Sequence, residues 1–444
     1  MNIIDNGLLE APTVGKLITE KKKMHLLKDC HLYLISSTDE AFAGKAKDVF
    51  DRLMERMDDN QLLNNYKLEV LSKDAPLDYN AKFHKAMIED KINFILPLYT
   101  PGKIEQQQIW VAHKNGRREC LTKQTGWSTA LFSNNYKYFI HTWSDLNTPT
   151  VCTLCNNKGK VLETLVENQA LMDRLSAYDL GKRELFTLTT ADGVELNGWM
   201  VKPADFDPMK KYPVVMYQYG GPGNQQVKNA WNIGQAGRGA LLEQYLCQQG
   251  FLCVCVDNRG TGGRGAAFEK CTYLKLGQLE SHDQVEAALW LGQQSYVDKN
   301  RIAIWGWSFG GFNTLMAMSE GRDVFCAGIA IAPPTSWRYY DTIYTERYMR
   351  TPQENAAGYD DCPIARVEKL HGALLLCHGM ADDNVHFRNT AEYTEAMVQA
   401  DKDFRQLVYT NRNHSIYGGN TRAHLFRQCV DFFMEKMKSE RMKQ

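Results

Sequence analysis

The sequence predicts an α/β fold with a mostly parallel sheet over residues 183–444, preceded by shorter β and α+β segments. Short apolar runs typical of buried parallel strands alternate with helical patterns along this part of the chain. One run, residues 301–304, leads through residues 305–311, WGWSFGG, into a helical pattern. Two later runs end in polar loops that carry Asp382 and His414.

The pattern Gly306-x-Ser308-x-Gly310 lies where a strand turns into a helix, which is the context of a nucleophile elbow. We expect the two glycines to let backbone pass close by and to adopt positive φ, leaving the Ser308 hydroxyl on a tight apex. The next residue, Phe309, would donate its backbone N–H to an oxyanion, helped by the helix N-terminus. The alternative is a serine in an ordinary glycine-rich turn.

A serine elbow needs an acid and then a histidine further along the chain. The apolar run 374–377 is followed by Asp382 and Asp383, and spacing alone does not choose between them. The next run, 404–409, precedes a polar loop in which His414 is the best-placed base. His378 and His386 flank the acid and are interpreted as structural. His371 precedes its strand, at the wrong end of the sheet, and His424 belongs to the last helix.

Residues 183–444 resemble the catalytic domain of the prolyl oligopeptidase family of serine peptidases, with the dipeptidyl peptidase IV branch the most similar. Long motifs in the family's order carry the resemblance: residues 301–311, 337–349 and 378–386. It implies Ser308 as nucleophile, Asp382 as orienting acid and His414 as base. It also implies cleavage after Pro or Ala near the N-terminus of short peptides, through an acyl-enzyme and without a cofactor or metal ion.

The resemblance assigns further residues to the site. Tyr219 would supply its hydroxyl as a second oxyanion donor, from a loop that lies where the second donor of this kind of fold arises. Arg347 and Asn384 would hold the carbonyl oxygens of the substrate. Apolar side chains would form the pocket for the residue before the cleaved bond: Trp337, Tyr340, Tyr344, Val385 and Pro334. Such walls suit proline or alanine, and the alternative is that these aromatic rings are core residues.

Composition bears on partners and location. The 52 basic and 52 acidic side chains balance, so neither a nucleic-acid nor a membrane surface is indicated, and short peptides are the expected partners. No apolar run could span a bilayer, and the first residues lack a signal-peptide pattern. Twelve scattered cysteines are expected to be reduced, which favours the cytoplasm, although related enzymes are often periplasmic, secreted or membrane-anchored. A homodimer is a candidate oligomeric state.

Four segments are predicted along the chain. Residues 1–105 indicate a small α+β unit without assigned chemistry, with helices at 41–57 and 80–90 and strands at 31–35 and 93–98. Residues 106–168 show short strands typical of one or two β-propeller blades, and Cys152 and Cys155 are interpreted as strand residues there. Residues 169–182 are a polar, partly helical linker, and residues 183–444 form an α/β-hydrolase domain. The family carries a propeller before this domain, and a closed propeller needs about four blades. The chain therefore departs from the family here.

Two further patterns limit the functional interpretation. The dipeptidyl peptidase IV branch holds the free amino terminus of its substrate with paired glutamates, and this chain has no Glu-Glu pair. An acylaminoacyl peptidase or esterase with the same triad, or an inactive truncated homologue, therefore stays open. Residues 260–265 match GxGxxG, but we interpret them as a glycine-rich crossing loop, with no helix beginning directly at the motif. The next helix is predicted from Asp283 to Gln293.

Overall fold

The computed structural model of this chain does not describe every residue. The described residues are 94–100, 103–113, 117–133, 136–231 and 241–437. The strand predicted near residues 93–98 is confirmed as β1, Phe94–Thr100. The remaining elements predicted within residues 1–92, including helices at 41–57 and 80–90, lie outside the described residues.

Short strands follow β1, as the sequence predicted. They are β2 (Lys103–Ala112), β3 (Arg118–Cys120), β4 (Trp127–Phe132), β5 (Tyr138–Ser144), β6 (Val151–Asn156) and β7 (Val161–Val166). The segment Trp110–Cys120 belongs to one compact unit, in which the end of β2 pairs antiparallel with β3. In the other unit, β4 to β7 pair in succession as an antiparallel meander. Cys152 and Cys155 are strand residues of β6, as predicted.

Eight strands form one sheet in the part of the chain that the structure describes after β7. They are β8 (Arg183–Thr189), β9 (Glu195–Val201), β10 (Tyr212–Tyr217), β11 (Leu252–Asp257), β12 (Val297–Trp307), β13 (Ala327–Ile331), β14 (Ala373–Gly379) and β15 (Arg405–Tyr409). Their order is β15-β14-β13-β12-β10-β11-β9-β8, and the pairs from β15 to β11 are parallel. Only the two pairs that β9 forms, with β11 and with β8, are antiparallel, so the predicted mostly parallel sheet is confirmed.

Helices connect these strands. They are α1 (Gln169–Leu175), α2 (Leu241–Gln248), α3 (Ala266–Lys270), α4 (Gln278–Gly292), α5 (Phe309–Met318), α6 (Thr342–Met349), α7 (Ala356–Asp360), α8 (Arg388–Gln399) and α9 (Thr421–Met437). Two 3₁₀ segments lie at Trp337–Tyr339 and Pro363–Lys369. The prediction that no helix begins at the GxGxxG motif was wrong, since α3 begins directly after Gly265. None of the described helices has the length and apolar composition needed to cross a bilayer.

The central strands are buried on both faces, which explains their continuous apolar runs. Alternate residues of one strand enter two separate cores: Ile304 packs in the core under α4, α5 and α8, while its neighbour Trp305 packs in the core under α2 and α9. Side chains alternate across a strand, so helices must cover both faces. Because the strands between these helix layers are parallel, their carboxyl ends lie together at one edge of the sheet.

We predict that the α9 layer contributes strongly to stability. Phe433 is only 1% exposed, so Phe433→Ala should lower the free energy of unfolding by about 3–5 kcal/mol through lost burial and a residual cavity. Chemical denaturation followed by circular dichroism measures the change. Met209→Ala is the matched control, because that side chain is 90% exposed and its removal should cost little. Equal midpoints for the two variants would contradict the prediction.

Candidate active site

The strand-to-helix turn after β12 holds Ser308 in an unusual conformation. Its φ of 59° and ψ of −120° lie in a region that residues with a side chain rarely adopt. The Ser308 N–H donates to the Ile331 carbonyl at 2.8 Å, and the Ser308 carbonyl accepts from Phe312 N–H at 3.0 Å. Neighbouring backbone on both sides therefore fixes the turn.

The glycines of the motif serve close approach and not a left-handed conformation. The expectation of positive φ at Gly306 and Gly310 was wrong, since among these three residues only Ser308 has it. A Cβ on Gly310 would overlap the carbonyl oxygen of Gln218, which follows β10. The end of β10 thus passes so near the first turn of α5 that a side chain does not fit between them.

Asp382 lies just beyond β14 and is the acid that the fold brings to His414. Its Oδ2 is 2.7 Å from Nδ1 of His414, and its Oδ1 accepts the backbone N–H groups of Asn384 at 3.0 Å and Val385 at 2.9 Å. Asp383 is exposed, on the solvent side of the same loop. The geometry thus distinguishes two acids that spacing left equivalent.

The charge of Asp382 is stabilised in a buried place. Burial alone would raise the pKa of this carboxyl, but hydrogen bonds from His378, His414 and backbone N–H groups outweigh it and hold the pKa well below its usual range. The side chains of Asp382 and His378 are both 0% exposed. An ionised acid is therefore the ground state of the site.

His378 takes a larger part in this arrangement than its sequence position indicated. Its Nε2 lies 3.1 Å from Asp382 Oδ2 and 2.8 Å from the Val385 carbonyl oxygen, and its Nδ1 lies 2.7 Å from Thr390 Oγ1. Because an ionised carboxylate and a carbonyl can only accept, Nε2 carries a hydrogen. His378 therefore donates to Oδ2, the same carboxylate oxygen that His414 contacts.

His414 lies in the loop after β15, as predicted. Since the ionised Asp382 carboxylate can only accept, His414 Nδ1 carries the hydrogen of this contact, and in the neutral tautomer Nε2 is then the basic nitrogen. The indole N–H of Trp307, next to Ser308, donates to the His414 carbonyl at 2.9 Å. This bond ties the histidine loop to the elbow. The other histidines considered contact different groups or solvent: His371 near Asp323, His424 near Tyr409, and exposed His386.

The two predicted oxyanion donors lie on neighbouring elements. Phe309 is the first residue of α5, where helix N–H groups have no partner within the helix. Tyr219 follows β10, and its ring centroid is 6.0 Å from that of Phe309. Burial raises the pKa of the Tyr219 phenol, as does nearby Tyr348, so the hydroxyl keeps its proton and can donate.

The predicted pocket residues cluster beside these donors. The Trp337 ring stacks on Tyr344 at 6.0 Å and lies 5.7 Å from Phe309, and it is 1% exposed. The Tyr340 hydroxyl donates to Asn384 Oδ1 at 2.7 Å, which joins the aromatic cluster to the acid loop. The other predicted residues differ in exposure: Val385 and Pro334 are buried, while Arg347 is exposed on α6. Both wall and core interpretations fit Trp337.

The elbow after β12, the acid after β14 and the histidine after β15 lie at the carboxyl ends of strands in one parallel sheet. This arrangement defines an α/β-hydrolase with a serine elbow. A sequence model of the prolyl oligopeptidase family matches residues 241–440. Within the described residues, no group of three or more His, Cys, Asp or Glu side chains could hold a metal ion.

Known proteins place the chain more narrowly. The crystal structure of Porphyromonas gingivalis dipeptidyl peptidase 4 shares 46% identity and a TM-score of 0.72, covering 75% of this chain and 47% of that one. A probable dipeptidyl-aminopeptidase B of Sclerotinia sclerotiorum is 36% identical over 72% of this chain, and a probable dipeptidyl peptidase 4 of Aspergillus fumigatus is 37% identical over 70%. The chain therefore carries a prolyl oligopeptidase family domain, and these relatives are named as dipeptidyl peptidases. It spans 34% and 41% of the length of these two relatives.

We predict that the two adjacent acids differ in their effect on turnover. Asp382→Asn should lower kcat by about a thousandfold or more, because the amide cannot hold the His414 tautomer that leaves Nε2 basic. Asp383→Asn should retain most of the turnover, because that side chain is exposed and away from His414. Steady-state kinetics on one chromogenic substrate compares the two. A large loss of kcat in Asp383→Asn, with kcat retained in Asp382→Asn, would mean that Asp383 is the orienting acid.

We also predict a signature of Asp382 in the pH dependence of stability. Its folded pKa is depressed, so its contribution is complete above the unfolded value of about 4 and is lost as pH falls toward the folded value. The free energy of unfolding should therefore fall less steeply below that pH in Asp382→Asn than in the unmodified protein. Urea unfolding at a series of acidic pH values measures both slopes, with Asp383→Asn as the matched control. Identical slopes would refute the assignment of the shift.

Proposed function

We propose that this chain is a serine peptidase that acts through an acyl-enzyme on Ser308. The observation that carries the proposal is the 2.7 Å contact between His414 Nδ1 and Asp382 Oδ2, on a loop tied to the Ser308 elbow. Asp382 orients the imidazole and stabilises its protonated form, while Nε2 acts as general base. A buried Asp382, fixed by its hydrogen bonds, and a His414 on the adjacent loop suit proton transfer from the Ser308 hydroxyl.

The reaction divides into two halves. His414 takes the hydroxyl proton as Ser308 Oγ attacks the scissile carbonyl, and the resulting oxyanion accepts from Phe309 N–H and the Tyr219 hydroxyl. Protonated His414 then gives its proton to the leaving amine, which departs and leaves the acyl-enzyme. Water attacks the ester with His414 again as base, and the proton returns to Ser308 as the acid product leaves.

The aromatic cluster supports a preference for proline or alanine before the cleaved bond. Trp337, Tyr340 and Tyr344 present flat surfaces, and burial raises the pKa of Tyr340 to about 12, with Asp341 and other neighbours adding to it. These phenols therefore stay neutral, and an apolar ring or methyl group can bury against them without a polar partner. Proline fits such a slot because its ring is compact and carries no N–H.

Polar groups for the rest of the substrate lie nearby. Because the Tyr340 hydroxyl donates to Asn384 Oδ1, the Nδ2 group is the end of this amide that can donate to a substrate carbonyl. Arg347 lies on α6, one turn after Tyr344, and we propose it for a second carbonyl. Cytoplasmic location and a homodimer remain predictions from the sequence.

One observation favours a second candidate. The chain has no Glu-Glu pair, and paired glutamates are the residues expected to bind a free amino terminus in this branch. An acylaminoacyl peptidase or an esterase would use the same triad without such a pair. We therefore keep this activity as the alternative to release of dipeptides.

The activity itself is testable with Gly-Pro-p-nitroanilide. The unmodified chain should release nitroaniline, while Ser308→Ala and His414→Ala should each lose nearly all turnover. The double variant should lose no more than either single one, because the residues act as a unit. Ser319→Ala is a control, since Ser319 lies at the other end of α5. No turnover of any peptide, amide or ester by a folded chain would refute the proposal.

Selectivity for the amino terminus is a separate prediction. A buried ammonium without a partner costs several kcal/mol, so a chain without the paired glutamates should favour a free terminus only weakly. The kcat/KM for Gly-Pro chromogen with free and with acetylated amino group should differ by less than about a hundredfold, or nearly 3 kcal/mol. A larger preference would contradict the prediction. It would direct attention to Asp341, which lines a cavity of about 580 Å³ beside Tyr340 and Asn384.

A further inference from the structure

Three buried amide side chains surround the backbone between the end of β10 and the start of α5. Gln218, Asn313 and Asn258 are each 0% exposed, and no step of the proposed reaction uses them. Burying an amide is costly unless its groups are hydrogen-bonded, so such a cluster needs a physical explanation. Its place suggests one, because Tyr219 lies next to Gln218.

Gln218 joins β10 directly to the helix that begins at the elbow. Its Nε2 donates to the Gly310 carbonyl at 2.6 Å and to Thr314 Oγ1 at 3.1 Å. Its Oε1 accepts from Asn313 Nδ2 at 3.0 Å, and its backbone N–H donates to the Trp305 carbonyl at 3.1 Å. The Gln218 side chain, next to Tyr219 in the loop after β10, therefore holds the first turns of α5.

Asn258 holds the other side of Tyr219. Its Nδ2 donates to the Gly220 carbonyl at 3.0 Å, and its Oδ1 accepts from Gln284 Nε2 at 3.0 Å. Gly220 has a φ of 77°, and a Cβ there would meet the amide atoms of Asn258, Asn313 and Gln218. The three amides thus pack around a single backbone position next to Tyr219.

The proposed oxyanion donors lie within these attachments. Tyr219 is flanked by Gln218 and Gly220, both of which are held, and Phe309 directly precedes Gly310, whose carbonyl Gln218 binds. We propose that Gln218 and Asn313 are positioning residues that set the distance between the Tyr219 hydroxyl and the Phe309 N–H. This inference rests on the oxyanion roles in the proposed function. It adds the residues that make the two donors act together.

A purely structural role for the amides would affect stability without affecting the chemical step. The positioning role requires a lower kcat at nearly unchanged KM, because the oxyanion forms only after substrate has bound. It also requires that the effects of the amide and Tyr219 substitutions on kcat are not additive. Once the Tyr219 hydroxyl is removed, the hydrogen bonds of the amide no longer position a donor. A double-mutant cycle separates the two roles.

The cycle combines Gln218→Met, which keeps the length but removes the hydrogen bonds, with Tyr219→Phe. Gln218→Met alone should lower kcat by about tenfold to a hundredfold and leave KM within about twofold. In the Tyr219→Phe background the same change should cost less than about threefold. An unchanged kcat in folded Gln218→Met, or an equal loss in both backgrounds, would overturn the inference.

Gln244→Met is the matched control. That amide also bonds at both ends, to the backbone of Gly181 at 2.8 and 2.9 Å, but it lies on α2, which packs on β9 and β11. It should leave kcat unchanged, and a loss equal to that of Gln218→Met would overturn the inference. If Gln218→Met does not fold, Asn313→Ala replaces it in the cycle, because Asn313 Oδ1 has no hydrogen-bond partner among the described residues and only the bond to Gln218 is lost.

Hydrogen exchange gives a readout that does not need turnover. Backbone amides of residues 219–221 and 309–313 should exchange faster in Gln218→Met than in Gln244→Met, since both segments lose the same attachment. Unchanged exchange at both segments would overturn the inference even in an active enzyme. A chain that neither turns over substrate nor reacts at Ser308, but shows the exchange difference, would instead refute the proposed function and leave the linkage between the two segments supported.

Discussion

The close approach of β10 to the elbow is the constraint on which the rest of the site depends. Ser308 occupies a strained backbone conformation, of a kind that costs about 1–3 kcal/mol and persists only where the surroundings enforce it. Those surroundings are the Gln218 carbonyl against Gly310, the Ile331 carbonyl that accepts from Ser308 N–H, and the Phe312 N–H that donates to the Ser308 carbonyl. Because β10, β12 and β13 are adjacent parallel strands, the sheet itself supplies this enforcement.

A second dependence is electrostatic. Asp382 is an ionised group without exposed surface, and such a group is costly unless donors satisfy it. Two backbone N–H groups and two imidazoles do so, which joins the acid loop, the histidine loop and the buried ring of His378. Removing any one donor changes the environment of the others. Asp382 therefore joins these loops as well as holding the His414 imidazole.

Trp307 links the strained turn at Ser308 to the loop that carries His414. Its indole N–H donates to the His414 carbonyl, and its own position is fixed as the last residue of β12, directly before the strained serine. The guanidinium of Arg422 lies 5.0 Å from the Trp307 ring and covers it from α9. Movement of α9 would therefore shift the Trp307 ring and, through its hydrogen bond, the loop that carries His414.

Much of this fold was predictable because its strands are buried on both faces and so have continuous apolar runs, as in β10 and β14. The prediction was weaker where polar residues are buried. Helix α4 begins at Gln278 and not at Asp283, since Glu280 and Ser281 are buried polar residues in its first turns and interrupt the apolar pattern.

The proposed triad residues were indicated by motif, order and resemblance, but their contacts depend on three-dimensional neighbours. Spacing could not separate Asp382 from Asp383, because the choice depends on which carboxylate faces into the loop. The bond from His378 to the acid and the Gln218–Asn313 pair join residues through tertiary packing, and no local pattern signals either one. Positive φ at Ser308 likewise follows from the surrounding backbone, not from the glycines of the motif.

The most direct measurement of the central claim is the reaction of the chain with a fluorophosphonate, followed by intact-protein and peptide mass spectrometry. An assembled nucleophile, base and oxyanion site predicts a single adduct, on Ser308, which forms much more slowly in His414→Ala. Circular dichroism on the same samples establishes that each is folded. A folded chain that forms no adduct, or one that is labelled elsewhere at the same rate with and without His414, would contradict the account.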